Sequence, residues 1–251
     1  MSFLSLKVPS IIKRVQVKEC AIILGLDESC LIASALCERA KKSGLVVYKV
    51  IYDSKTQGIL FIEKNPSHPT KQHYQVRLDL SSSDAAVQFF KHIADACLTP
   101  QWIVHCPQRP APLETLQMTP SDLESMWRVQ GFSAFIFGQA AMKAILKNGV
   151  KRDKENRSPT IIFVGASDAV ESQPNFSGFA AVKAGVRALA QSMAREFDPQ
   201  GVHVAHVLLN HGDVVSERFA ESVAATCWQI YGQPKQTWTQ ELELRSAGVV
   251  E

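Results

Sequence analysis

Apolar residues fall along the chain in two alternating patterns. Short unbroken runs, which suit buried strands, occur at residues 20–25, 45–52, 75–80, 102–106, 160–164, 202–209 and 239–244. Between them lie stretches with apolar residues at helical spacing, at 31–40, 81–97, 123–146, 179–197 and 217–231. Ser83 is placed to cap the second of these, where Ala86, Phe89, Phe90, Ile93 and Ala94 share one face. The first run, helix and second run read as a βαβ unit, which calls for a parallel sheet. Residues 53–74 carry Gly58, Pro66 and Pro69 and only a short apolar patch at 59–62, so they read as irregular. Three prolines within 107–112 make a loop. Strand and helix alternate throughout, the pattern of one α/β, doubly wound, Rossmann-type domain with about seven parallel strands and helices on both faces. That domain is expected over residues 19–251, behind a basic N-terminal arm at 1–18.

Composition narrows the class of function. The 251 residues are 46% hydrophobic and 20% charged, with a net charge of +3. That supplies a core, and it is too weak a charge to argue for nucleic acid. No run of roughly 18 uninterrupted apolar residues is present, so no membrane span is expected. Six cysteines are scattered with no Cys-x-x-Cys pair, so neither a zinc site nor a disulfide framework is implied. Reduced thiols in the cytoplasm are the simplest expectation. The alternative is mitochondrial import, because the first 18 residues hold Lys7, Lys13, Arg14 and Lys18 and no acid.

Three segments carry a resemblance to a known family. The run at 20–25 ends in Gly25 and is followed by Leu-Asp-Glu-Ser-Cys-Leu, at the place of a glycine-rich phosphate turn. Asp79 closes the third strand. The run Ile161-Ile-Phe-Val-Gly-Ala-Ser leads through Pro174 to Phe179-Ala-Ala-Val-Lys183 and Arg187-Ala-Leu-Ala-Gln-Ser-Met-Ala-Arg-Glu. In this order and spacing the chain resembles the short-chain dehydrogenases/reductases over about residues 19–245. The resemblance implies a Rossmann fold and an NAD or NADP cofactor. It also implies hydride exchange with a carbonyl or alcohol.

The resemblance also implies which residues would act, and most of them differ here. The family's proton-donating tyrosine falls at Phe179, which has no exchangeable proton. Its serine falls at Ala166, with Ser167 adjacent, and its asparagine at Gln130. Lys183 is retained four residues after Phe179, one helical turn away on the same face. Two readings of Lys183 stand: a ribose-binding lysine, or an inherited helix lysine facing water. At the phosphate turn only Gly25 matches, since Ser29 and Leu31 take the other glycine positions. Asp27 and Glu28 lie inside the turn. Asp53 ends the second strand, where an acid favours a ribose hydroxyl, but nearby Lys55 suits a 2′-phosphate. Gly25, Asp53, Asp79 and Lys183 are therefore the candidate cofactor contacts, and NAD versus NADP stays open.

Other candidates have structural explanations. His105 and Cys106 are adjacent in a strand, so their side chains point to opposite faces and do not form a base–nucleophile pair. His203 and His206 likewise do not share a face, so no metal site is expected. His211, after the sixth strand, is a candidate substitute acid, as is Ser167. The basic loop at 147–157 reads as a solvated insertion. The aromatic helix at 123–146 and the helix at 179–197 are the pair through which family members commonly assemble. The resemblance therefore implies a homodimer or tetramer, or a hetero-oligomer with a related protein. Three functions remain: a family member with impaired or absent redox catalysis, an oxidoreductase with a non-tyrosine proton donor, or an NAD(P) sensor without turnover.

Overall fold

The structure is a computed structural model that describes residues 18–25, 27–56, 61–64, 72–106, 112–147, 149–210 and 215–246. The strands are β1 (Lys18–Gly25), β2 (Val46–Tyr52), β3 (Phe61–Lys64), β4 (His73–Leu78), β5 (Leu98–Cys106), β6 (Thr160–Ala166), β7 (His203–Asn210) and β8 (Glu241–Arg245). The helices are α1 (Leu31–Lys42), α2 (Ser83–Asp95), α3 (Pro120–Met126), α4 (Ser133–Lys147), α5 (Ser177–Phe197) and α6 (Glu217–Tyr231), with a π-helical segment, Trp127–Phe132, joining α3 to α4. One sheet runs β3-β4-β2-β1-β5-β6-β7-β8. All pairings are parallel except β3 with β4.

Alternation along each strand feeds two cores, as expected when both faces of a parallel sheet are covered. In β1, Cys20, Ile22 and Leu24 face α2, α4 and α5, while Ala21 and Ile23 face α1 and α6. Chain order reverses between β1 and β5, whose carboxyl ends at Gly25 and Cys106 mark the switch point where such sheets commonly bind ligands.

The seven parallel strands stand where the hydrophobic runs place them. Four details differ. The segment read as irregular contains a 3-10 turn at Ser54–Thr56 and the antiparallel strand β3, so the sheet has eight strands among the described residues. This apolar patch is too short to declare itself, and pairing with β4 makes it a strand. Second, Ser82 rather than Ser83 caps α2, its Oγ accepting from the Ala85 amide at 3.2 Å. Ser82 has the extended backbone a cap needs, whereas Ser83 is already inside the helix. Third, Lys18 belongs to β1, not to an arm; residues 1–17 lie outside the described residues. Fourth, the long aromatic helix begins at Pro120 behind a Thr119–Asp122 capping box and carries a π-helical interruption. Its whole span, Pro120–Lys147, is long and apolar enough to cross a membrane, yet 56% of its most apolar window is buried inside the protein. Ala134, Phe137, Ala141, Met142 and Ile145 are core residues.

Candidate active site

Helix α5 carries the two residues that matter most. Phe179 and Lys183 sit one turn apart and are both 1% exposed. Phe179 packs with Phe176 and with Ala166, the last residue of β6. The Lys183 Nζ lies 5.1 Å from the centroid of the Phe179 ring and makes no hydrogen bond among the described residues. Burial lowers its pKa to about 7, against opposing pulls from Cys106 and Asp168. Lys183 is therefore not a lysine facing water. Its amine is a buried group that changes charge near neutral pH, beside a ring that cannot take or give a proton.

The floor of the site comes from β5 and the π segment. His105 Nε2 lies 2.8 Å from Ser133 Oγ, which donates to the Val129 carbonyl at 2.6 Å. The serine proton is thus committed, so the imidazole is the donor and carries its proton on Nε2. Burial, and then the charge of Lys183, press the His105 pKa down to about 3. This imidazole is neutral at physiological pH. Gln130 is buried in the π segment, and its side-chain carbonyl makes no hydrogen bond among the described residues. π-helical turns recur at functional sites because they displace one side chain out of helical register. Cys106 points to the other side of the sheet from His105, as strand alternation requires.

The turn after β1 is closed by contacts within the chain. A Cβ at Gly25 would lie 3.1 Å from Ala33 Cβ and 3.8 Å from Cys30 Cβ. Cys30 caps α1, its sulfur accepting from the Ala33 amide at 3.4 Å. A helix N-terminus free to bind a diphosphate would offer that amide to the ligand. Asp27 accepts from Ser29 at 2.7 Å, and Glu28 is ion-paired to Arg77 and hydrogen-bonded to Gln75 at 3.1 Å. Lys49 Nζ donates to the Glu28 carbonyl at 2.9 Å and to Ser34 Oγ at 3.1 Å. These contacts brace the turn against β2 and β4.

The two aspartates proposed to meet the nucleoside serve their own turns. Asp53 accepts from the Lys55 amide at 3.0 Å, and Asp79 accepts from the Ser81 amide at 2.9 Å and its hydroxyl at 2.7 Å. Cys30 takes the Ala33 amide at the helix N-terminus and one oxygen of each aspartate is used in its own turn, so the turn departs from the glycine-rich cradle of the family. Ser167 opens a 3-10 turn at the end of β6, while His211 lies outside the described residues. The structure places Gly25 and Ala166 at the carboxyl ends of β1 and β6, with Phe179 packed on Ala166 and Lys183 beside the Phe179 ring. Sequence reasoning missed buried Asp168 near Lys183, the His105–Ser133 bond, and a close approach of Cys30 to Cys106, whose sulfurs are 4.0 Å apart. A signal was available only for the last: in a Rossmann sheet the first and fourth parallel strands are neighbours, so Cys106 must end beside the turn that holds Cys30.

The eight-stranded order among the described residues, with its reversal at β1 and β5 and a lysine-bearing helix behind β6, defines a Rossmann-type fold. The short chain dehydrogenase family model matches residues 19–224. The chain belongs to that family. Among curated proteins none matches the sequence. Three solved structures show the likeness in fold. A short-chain dehydrogenase from Rhodopseudomonas palustris is 24% identical, with 90% of this chain and 98% of that one covered at a TM-score of 0.72. An NADPH-bound short chain oxidoreductase from Pseudomonas aeruginosa PAO1, described as containing an atypical catalytic center, is 17% identical, with 92% and 96% covered at 0.72. A metagenomic short-chain oxidoreductase in complex with NADP is also 17% identical, with 92% and 97% covered at 0.69.

Proposed function

We propose that this short-chain dehydrogenase family member is a binding or pairing module in which the family's redox catalysis is impaired. The observation that carries the reading is the placement of the Phe179 ring, against Ala166 and beneath the Lys183 amine. Removing one proton donor costs on the order of 10²–10⁴ in rate. The Ala33 amide, taken up by Cys30 at the helix N-terminus, adds to the impairment.

Titration of the purified chain with NADH and NADPH, followed by thermal shift and by turnover of a carbonyl panel, tests the proposal. Weak or no binding with no turnover is expected. Tight binding without turnover would mark a nucleotide sensor instead. Turnover at ordinary family rates would overturn the proposal. The Phe179→Tyr, Ala166→Ser double variant asks how much of the site survives; a gain in turnover is expected only if a cofactor binds.

A second reading is favoured by one observation. An amine with a pKa near 7 matches the requirement for a proton donor at neutral pH, so Lys183 itself is the candidate acid of an active oxidoreductase. Abolished turnover in Lys183→Met, with folding intact, would support it.

The assembly implied by the family is also proposed here. Trp127, Phe132 and Phe135 are 39%, 48% and 49% exposed and, with Leu189 of α5, line an apolar groove. A second copy, or a relative bearing the same helices, is the proposed occupant. A Phe132→Glu, Phe135→Glu variant is expected to run as a monomer in light scattering where the parent chain runs as a dimer or larger. A monomeric parent would overturn the proposal.

A further inference from the structure

Two thiols meet at the carboxyl ends of β1 and β5. Cys106 is the last residue of β5 and pairs in register with Gly25, the last residue of β1. Five residues beyond Gly25 the chain folds back, and Cys30 comes to lie over that glycine, its sulfur 4.0 Å from Cys106 Sγ. The two residues are 76 apart in sequence. Cys30 is 7% exposed at the helix terminus, whereas Cys106 is 1% exposed behind it. This is the arrangement of an outer attacking thiol and an inner resolving one.

We propose that Cys30 and Cys106 form a redox-active dithiol, oxidised by hydroperoxide to an intramolecular disulfide that ties the β1–α1 turn to the end of β5. The Cys30 thiolate attacks a peroxide oxygen and the O–O bond breaks. The departing hydroxide takes up a proton to become water, and Cys30 is left as a sulfenic acid. The Cys106 sulfur then attacks Cys30 Sγ. Its proton joins the leaving hydroxide, the S–O bond breaks and a second water departs. Two thiols have lost two hydrogens and two electrons, and one hydrogen peroxide has become two waters. The sulfurs must approach from 4.0 Å to about 2.05 Å, a movement within reach of side-chain rotation and the turn.

The surroundings favour thiolate at Cys30. The hydrogen bond from Cys106, the Ala33 amide and the charge of Lys49 lower its pKa to about 7, against burial and Asp27. Cys106 is held well above its ordinary value by the same bond, by burial and by nearby Cys227, with only Lys183 pulling it down. Cys37 and Cys227 are pushed up to about 12 by burial, and Cys20 is raised still further. Exposed Cys97 serves as the control for indiscriminate oxidation. The proposal holds whether or not a nucleotide binds.

The test uses the full chain, reduced with dithiothreitol, desalted and treated with equimolar hydrogen peroxide. Remaining thiols are alkylated and the digest is mapped by mass spectrometry. The expected product is a Cys30–Cys106 linked peptide, two hydrogens lighter and restored by dithiothreitol, with Cys97 mostly alkylated. Its rate of formation should rise as pH passes about 7. In Cys106→Ser, Cys30 should stop at a sulfenic acid that dimedone traps. Both cysteines recovered reduced while Cys97 oxidises would overturn the proposal. So would Cys30 passing to sulfinic acid without a linked peptide. If Cys106→Ser fails to fold, the peptide map of the parent chain decides alone.

Discussion

At the level of single residues, the site is defined by what surrounds one amine. Lys183 pairs with no acceptor among the described residues, so its burial is a cost to folding. The sign follows from the depressed pKa: between about 7 and 10.5 the unfolded chain holds a proton that the folded chain does not. Folding is penalised in full below that window and freed of the penalty above it. Lys183→Met is therefore expected to raise stability, by on the order of 1–3 kcal/mol at pH 7, with the gain shrinking as pH approaches 10. Urea unfolding at the two pH values measures it; an equal gain at both would contradict the linkage. The Phe179–Lys183 pair was legible in the sequence because helical spacing alone puts i and i+4 on one face. Burial of the lysine was not, because it depends on groups such as Cys106 of β5 and Asp168 after β6 being brought near α5 from elsewhere in the chain.

Among the elements, close packing is set by glycines whose role sequence cannot show. Gly165 in β6 faces His206 of β7: a Cβ there would lie 2.2 Å from His206 Nε2. His206 in turn holds Glu241 of β8 at 3.1 Å, and Glu241 pairs with Arg187 of α5 through both guanidinium contacts, at 2.7 and 2.8 Å. One missing methyl thus lets a buried imidazole link three elements. Gly165→Ala should destabilise by about 1–3 kcal/mol, read as a lowered denaturant midpoint with unchanged slope. A second buried knot joins α6 to the loop before β6, where Tyr231 donates to Asp153 at 2.6 Å and Arg157 pairs with the same carboxylate at 2.6 Å. The charged insertion seen in sequence as a solvated loop therefore contains a structural anchor. Tyr231→Phe should cost about 1–2 kcal/mol, because the carboxylate loses a partner while still buried. The parallel strands were legible because each is a continuous apolar run. β3 was not, since four residues gain strand character only from their neighbour.

Over the whole molecule, acid is the expected weakness. His105, His203 and His206 are all held below the ordinary imidazole value, chiefly by burial. The unfolded chain takes up protons near pH 6.5 that the fold refuses, for His105 down to about 3. The stability these imidazoles contribute is complete above 6.5 and falls through that window, His105 alone accounting for about 2 kcal/mol between pH 6.5 and about pH 5. Asp198, raised by burial, opposes the trend at lower pH. The melting temperature should drop over this range, and His105→Asn should flatten the drop. A flat profile in the parent chain would show that these imidazoles are protonated in the fold.

Trp127 gives the molecule a built-in optical gauge. A methyl on Gly185 would sit 2.8 Å from its ring and one on Gly131 3.1 Å, so the indole is wedged between its own helical segment and α5 while remaining 39% exposed. Trp102, by contrast, is fully enclosed, and Trp228 and Trp238 are half-buried away from the groove that Trp127 lines. Any molecule that settles on the Trp127 ring will dry it, moving emission to shorter wavelength and shielding it from iodide. Dilution should reverse both effects at one common midpoint, and Trp127→Phe should erase them.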